Sequence, residues 1–201
     1  YSGVGISFAY TFQRRTHWQH VTTQGALHIH GSRTLNTVGN RTNWGGAAAY
    51  THLWHCNWNW SPWTLRAGGG IEGMVGGLYN THGGNNPAQA YARASLVASV
   101  AADCRLRLCR HDFTVRAQLD APFLGMTMSP NRGQSYYDMF MKRHYDHNIV
   151  CAGPWNAPTL RGTFTVDIPI GRKAMCIGYM FEVEQAKPNN LRRHTYLNNL
   201  V

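Results

Sequence analysis

The feature that most constrains this chain is a strict two-residue alternation between residues 87 and 103. The odd positions hold mostly polar residues, including Gln89, Arg93, Ser95 and Ser99. Every even position is apolar: Ala88, Ala90, Ala92, Ala94, Leu96, Ala98, Val100 and Ala102. Successive side chains of a β-strand point to opposite faces, so this period predicts a strand with one apolar face and excludes a helix, which would mix the two sets. At about 16 residues, the strand is roughly three times the usual globular length.

The same alternation recurs along most of the chain. Apolar residues take every second position in segments that start near Val4, Val21, Leu65, Phe113, Leu160 and Met175. Residues 44–57, 138–151 and 191–201 are further expected strands with a less regular pattern. Turns rich in Gly, Pro and Asn separate the segments, and no helical pattern lies between them, so parallel βαβ units are not expected.

We therefore predict an all-β fold with one domain over residues 1–201. Its expected architecture is a single antiparallel up-and-down transmembrane β-barrel of about ten strands, within a range of eight to twelve. Closure into a barrel removes the two exposed edges that an open sheet of long strands would present. A barrel of this size is filled by its own side chains, so it should not conduct large solutes.

The charged residues indicate which face of the strands lies inside. Only 14% of the 201 residues are charged, and Lys occurs only at Lys142, Lys173 and Lys187, although the net charge is +10. A soluble surface would hold far more Lys and Glu. Single ions instead sit in mid-strand among small and hydroxyl residues, which predicts a lumen charge network: Arg66, Glu72, Arg93, Arg116, Asp120, Arg161, Asp167 and Glu182. The apolar face should then meet lipid.

Tryptophans and glycines fit the same interpretation. Trp54, Trp58, Trp60 and Trp63 lie near predicted strand ends and are expected to form an interfacial aromatic girdle. Glycines within strands indicate a bend or close packing by a neighbour. The mean hydropathy of −0.37 does not contradict a membrane barrel, because alternation averages out to weak hydropathy.

In style and over most of its length, the chain resembles small outer-membrane β-barrels of unknown function from Bacteroidota. The resemblance is carried by residues 163–190, with a Pro-Ile-Gly-Arg hairpin and the sequence Phe181-Glu182-Val183-Glu184. It implies a Gram-negative outer membrane, with lipid and lipopolysaccharide as contacts. Such barrels usually end on an aromatic residue, whereas this sequence ends at Val201.

Other chemistries have weaker support in the residues. His20, His28 and His30 share a strand face, but no Cys or carboxylate completes a recognisable ligand spacing, so we predict no metal and no cofactor. The basic residues are not interleaved with the tryptophans, so no nucleic-acid partner is expected. His144, Asp146 and His147 form the densest candidate catalytic group, yet no fixed-spacing motif accompanies them.

The sequence thus favours an integral outer-membrane barrel that acts as a structural or accessory subunit, because its Gly- and Ala-rich outer face suits contact with another outer-membrane protein. We do not expect an enzyme. Two alternatives stay open. One is an outer-membrane lipid-modifying hydrolase, acyltransferase or protease that uses His144, Asp146 and His147. The other is a narrow anion-preferring channel lined by arginines such as Arg66, Arg93, Arg116 and Arg161.

Overall fold

The computed structural model describes residues 1–18, 20–36, 41–81, 88–108, 111–129, 141–143, 147–170, 173–190 and 192–201. Within these ranges the chain forms ten β-strands and one short 3₁₀ turn, Pro188–Asn190. The strands are β1 Ser2–Arg15, β2 Val21–Asn36, β3 Arg41–Trp60, β4 Trp63–Asn80, β5 Ala88–Leu108, β6 His111–Met128, β7 Ile149–Ala152, β8 Thr159–Ile170, β9 Lys173–Ala186 and β10 Arg193–Leu200. All are antiparallel, so the predicted all-β fold with about ten strands is confirmed.

The strands follow one another around a nearly closed barrel-shaped sheet. Both β7 and β8 pair with β6, one above the other, so they share one place in the wall. The wall therefore has nine strand positions, and β1 and β10 at its two ends run in the same direction. In the described part of the chain, neither of these strands has a ladder partner on its second edge.

The two-residue period of β5 separates its faces as the alternation requires. Arg93, Ser95, Val97, Ser99 and Ala101 are buried, whereas the even-numbered residues between them are exposed. The apolar set therefore faces outward and the polar set faces inward. The same holds around the barrel: among the residues that the structure describes, forty large hydrophobic side chains are exposed and twelve hydrophobic residues are buried. The molecule is inverted relative to a soluble barrel, whose apolar face is sealed inside.

The hydrophobic core is correspondingly small. One cluster joins Ala47 and Ala49 of β3 to Met74 of β4, and Tyr91 packs against it. Another joins Ala152, Ala157 and Ala186. Burial of a few alanines cannot hold such a barrel, so its cohesion depends on the backbone ladders and on the polar side chains inside. Among the described residues, no helix is long and apolar enough to cross a membrane.

Glycine allows β3 and β4 to approach closely. A Cβ atom on Gly70 would lie 1.8 Å from the backbone oxygen of His52, and one on Gly68 would lie 1.9 Å from that of Trp54. Neither carbonyl can move without breaking the ladder between the two strands. Gly73, three residues further along β4, has open space where its Cβ would be.

These two environments give a stability prediction. We expect Gly70→Ala to lower the free energy of unfolding by about 1–3 kcal/mol, because the methyl group forces the strands apart. Gly73→Ala should change it by less than ~0.5 kcal/mol, as at an unconstrained surface position. Urea unfolding followed by tryptophan fluorescence measures both variants. Equal losses in the two would contradict the close approach at Gly70.

Candidate functional site

The densest group of functional side chains lies inside the barrel, about halfway along its strands. Glu72 of β4 accepts hydrogen bonds from Arg93 of β5 and from Arg161 of β8, each at 2.9 Å. The Glu72 side chain is fully buried, and those of the two arginines are 3% and 4% exposed. Because β4 and β8 are not neighbours, the contact between Glu72 and Arg161 crosses the lumen.

The same two arginines extend the network to the last strands of the wall. Arg93 reaches Glu184 of β9 at 3.0 Å, and Arg161 reaches Glu182 of β9 at 3.1 Å. Arg193 of β10 contacts Glu184 at 2.7 Å. We call these six residues the central cluster: Glu72, Arg93, Arg161, Glu182, Glu184 and Arg193.

The sheet register explains why these groups meet. Arg161 lies directly opposite Glu182 in the β8–β9 ladder, and Arg93 lies diagonally across from Glu72 in the β4–β5 ladder. Cross-strand and diagonal neighbours on one face are within reach of long side chains. Thr51 and Thr159 add hydroxyl groups, which lie 3.5 Å from Arg161 and 3.0 Å from Arg93.

Charge balance is the main property of the central cluster. Three arginines face three glutamates, so the cluster is neutral as a whole. A buried ion costs several kcal/mol in desolvation unless it is paired, and each ion of the cluster has an opposite charge within 3.1 Å. The pairing also bears on the channel hypothesis, because Arg93 and Arg161 are engaged with glutamates and do not form a row of free cations.

A second group lies at the end of the barrel that carries the β1–β2, β3–β4, β5–β6 and β8–β9 connections. Asp103 of β5 accepts from Arg66 of β4 at 2.8 Å and from Arg116 of β6 at 3.0 Å. Arg116 also lies 3.7 Å from Asp167 of β8. We call this group the end cluster: Arg66, Asp103, Arg116 and Asp167.

Asp120 lies between the two clusters and is held by neutral donors. Gln118 donates to both of its oxygens at 3.0 and 3.1 Å, and Ser99 donates a further hydrogen bond. Gln24 of β2 donates to Gln118 at 3.1 Å, and His55 of β3 hydrogen-bonds Ser99 at 2.9 Å. This chain of hydrogen bonds ties β2 and β3 to β5 and β6 through the interior.

The predicted lumen residues thus occupy three connected groups. Arg66, Arg116 and Asp167 lie in the end cluster, and Asp120 lies in the hydrogen-bond chain. The other four lie in the central cluster: Glu72, Arg93, Arg161 and Glu182.

Two cavities flank these groups. One, of about 370 Å³, lies beside the open side of the barrel and is lined by residues that include His28, Gln118 and Arg161. The other, of about 270 Å³, opens at the end cluster and is lined almost entirely by polar side chains. In the described part of the chain, no three His, Cys, Asp or Glu side chains are arranged to hold a metal ion.

The sequence-predicted aromatic residues all lie on the outer surface. Trp60 and Trp63 face each other across the β3–β4 hairpin, and Trp58 lies opposite Leu65 in the same hairpin. Trp54 lies further from the turn, with its ring 4.6 Å from that of His52. All four side chains are about half exposed.

Only one residue of the candidate catalytic group lies in the described part of the chain. His144 and Asp146 lie outside the described residues. His147 is described, has a positive φ of 53°, and accepts a hydrogen bond from Asn189 through its backbone oxygen. That contact is made by the main chain of His147 and ties a loop to the 3₁₀ turn.

Several residues of the network were missing from the sequence prediction. Glu184 and Asp103 share strand parity with Glu182 and Ser99, so the two-residue period could have identified both. Arg193 lies in a strand with a weak pattern and beside a turn, where parity is difficult to assign. His55 is fully buried, and no neighbouring motif distinguishes it from the outward-facing His52.

Fold and site together define a class: an antiparallel β-barrel with an apolar outer surface and a charge-paired polar interior. The chain belongs to the family described as "Protein of unknown function (DUF3316)", whose sequence model matches residues 1–201. No curated protein and no solved structure matches it.

The position of Glu72 gives the second prediction. We expect Glu72→Gln to lower the free energy of unfolding by about 3 kcal/mol or more, because it leaves buried Arg93 and Arg161 without their shared counter-charge. Glu182→Gln is the matched control. It makes the same change on the same network, but Arg161 keeps Glu72, and Glu182 is partly exposed.

The control should therefore cost less than ~1 kcal/mol, as a partly solvated ion pair does. Urea unfolding of both variants under identical conditions gives the comparison. Similar losses for Glu72→Gln and Glu182→Gln would show that the central cluster does not depend on Glu72.

Proposed function

We propose that this protein is an integral β-barrel of a Gram-negative outer membrane and a structural or accessory subunit of a membrane protein complex. The organisms implied by the sequence resemblance are Bacteroidota. The single observation that carries the proposal is the inverted distribution of side chains: the apolar faces of the strands point outward around the wall, while the ions pair inside. Soluble monomers rarely expose continuous apolar patches larger than a few hundred Å².

The outer aromatic residues support a membrane setting. On β4, Trp63 lies near one end and Tyr79 near the other, and Tyr79 is paired with outward-facing Trp44 of β3. The strand between them is roughly 53 Å long at ~3.3 Å per residue, or roughly 37 Å along the membrane normal at a tilt of ~45°. That distance lies between a hydrocarbon core of about 30 Å and a full bilayer of about 40–45 Å, where interfacial aromatics are found.

The open side of the barrel supports a role as a subunit. Strand edges cannot remain unpaired in hydrocarbon, because no water is there to hydrogen-bond the backbone. Since β1 and β10 run in the same direction, one antiparallel strand between them would pair with both. We propose that an edge strand of another outer-membrane protein occupies this place.

Lipid is the proposed partner of the remaining outer surface. The four connections at the end-cluster end are short, and short turns normally face the periplasm. Lipopolysaccharide would then contact the opposite rim, where Arg33 lies 5.6 Å from the ring centre of Trp44. A cation beside an aromatic ring at this level suits a phosphate-bearing headgroup.

Two leucines on β5 test the membrane setting. Leu96 lies level with the central cluster and Leu108 at the strand end, and both point outward. In phospholipid vesicles, we expect Leu96→Arg to lower the free energy of unfolding by about 2–4 kcal/mol and Leu108→Arg by at most ~1 kcal/mol, because the cost of a charge depends on its depth in the bilayer.

Urea titration from vesicles measures this difference, and the substitution is identical at the two sites. If the protein is soluble without detergent and both variants match the parent within ~0.5 kcal/mol, as surface changes do, the membrane proposal is wrong.

Photo-cross-linking tests the proposed subunit contact. A photoreactive phenylalanine analogue at Phe8, which is exposed on β1, should form one product with a stoichiometric co-purified membrane protein, mapped by mass spectrometry to an edge strand. The matched control is Val100, which has similar exposure on β5, a strand paired on both sides. It should give no such product. Equal yields at the two positions, or a cross-link within the same polypeptide, would contradict the contact.

A further inference from the structure

The strongest unassigned feature is the polar cavity of about 270 Å³ at the end cluster, which we call the arginine cavity. Its charged wall residues come from β1, β4, β5 and β6, and its other wall residues are threonines, asparagines and one glutamine. The charged residues are Arg14, Arg15, Arg66, Asp103, Arg105 and Arg116. Five arginines against one aspartate give the cavity a net charge of +4.

The positive charge of the arginine cavity is only partly neutralised by carboxylates. Asp103 contacts Arg66 and Arg116 with a single carboxylate oxygen. Arg14, Arg15 and Arg105 form no ion pair with any described residue. The central cluster, by contrast, is neutral, so an excess of positive charge is concentrated at this one mouth of the barrel.

Two buried polar atoms of residues that line the cavity lack a hydrogen-bond partner. The Nε atom of Arg66, whose side chain is 3% exposed, has no hydrogen-bond partner among the described residues. Neither does the Oδ1 atom of Asn57, although its Nδ2 donates to Thr22 at 2.7 Å. Buried polar groups are normally satisfied, so these two atoms show that the polar groups beside the cavity are incompletely hydrogen-bonded, as are the Nε atoms of Arg93 and Arg193 in the central cluster.

We propose that the arginine cavity binds a small soluble polyanion that carries two or more phosphate groups. Guanidinium groups recognise phosphate oxygens through paired, charge-assisted hydrogen bonds. The cavity volume of about 270 Å³ lies slightly below that of typical small-molecule sites, which are about 300–1,000 Å³, so the ligand is compact. The proposal does not depend on the membrane location of the barrel.

The position of the cavity favours a soluble ligand over a lipid headgroup. The cavity lies within the mouth and is lined by residues such as Gln13, Thr22 and Arg66 that face the interior, whereas a lipid headgroup would lie outside the wall. Under the proposed orientation, the cavity opens toward the periplasm.

Calorimetric titration of the detergent-solubilised protein with inorganic pyrophosphate tests the site. We expect saturable binding with one ligand per chain. Arg105→Gln should weaken it about tenfold, since a hydrogen bond to a charged group is involved. Arg107→Gln is the matched control: it removes the same charge from the same strand, but Arg107 does not line the cavity and lies 3.8 Å from Asp112. It should change the affinity less than twofold.

The substitution Asp103→Asn should change the affinity for pyrophosphate in the opposite direction to Arg105→Gln. Removing the only carboxylate among the described residues that line the cavity should strengthen pyrophosphate binding several-fold, which a merely damaged structure would not do. Heat-modifiability on gels verifies that each variant is folded. Absence of saturable binding, equal losses in Arg105→Gln and Arg107→Gln, or displacement of pyrophosphate by phosphatidylglycerol added to the micelles would overturn the proposal.

Discussion

The structure depends on the pairing of buried ions across the lumen. A barrel that turns its apolar side chains outward has no hydrophobic core to close its interior, so polar groups must fill the space. Each of them loses water on folding and needs a partner. Glu72 meets this requirement for two arginines at once and connects β4, β5 and β8 through one carboxylate. Without the Glu72 carboxylate, no negative charge would lie between Arg93 and Arg161.

The two halves of the charge distribution have different physical consequences. In the central cluster, three glutamates and three arginines cancel, so the cluster carries no net charge. At the end cluster, two aspartates face two arginines, but Arg14, Arg15 and Arg105 also line the cavity there and form no ion pair with a described residue. Arginine therefore stabilises the interior in the central cluster, whereas at the mouth of the barrel its positive charge is free to attract anions. The difference between the two sites is the number of carboxylates that lie close to the arginines.

Much of this could be predicted from the two-residue period alone. It identified the long strands, their antiparallel order and the set of residues, such as Arg93 and Ser99, that share the inner face. It could not show which inner residues meet across the lumen, because Arg161 and Glu72 are joined by barrel curvature and not by sequence spacing. Nor could it identify Arg193, which lies beside a turn where the alternation is too short to fix a face.

The two-residue period also does not predict the number of strand positions in the wall, for a physical reason. Residues 153–158 interrupt one strand, so that β7 and β8 pair with the same neighbour at different heights. Counting alternating segments gives ten, whereas the wall has nine positions, and an odd number makes the two terminal strands parallel to each other. An up-and-down sheet with an even number of positions could close by an ordinary antiparallel ladder between its first and last strands. Nine positions, which result from one interrupted strand, leave only a parallel ladder for direct closure, and the described residues of β1 and β10 form none.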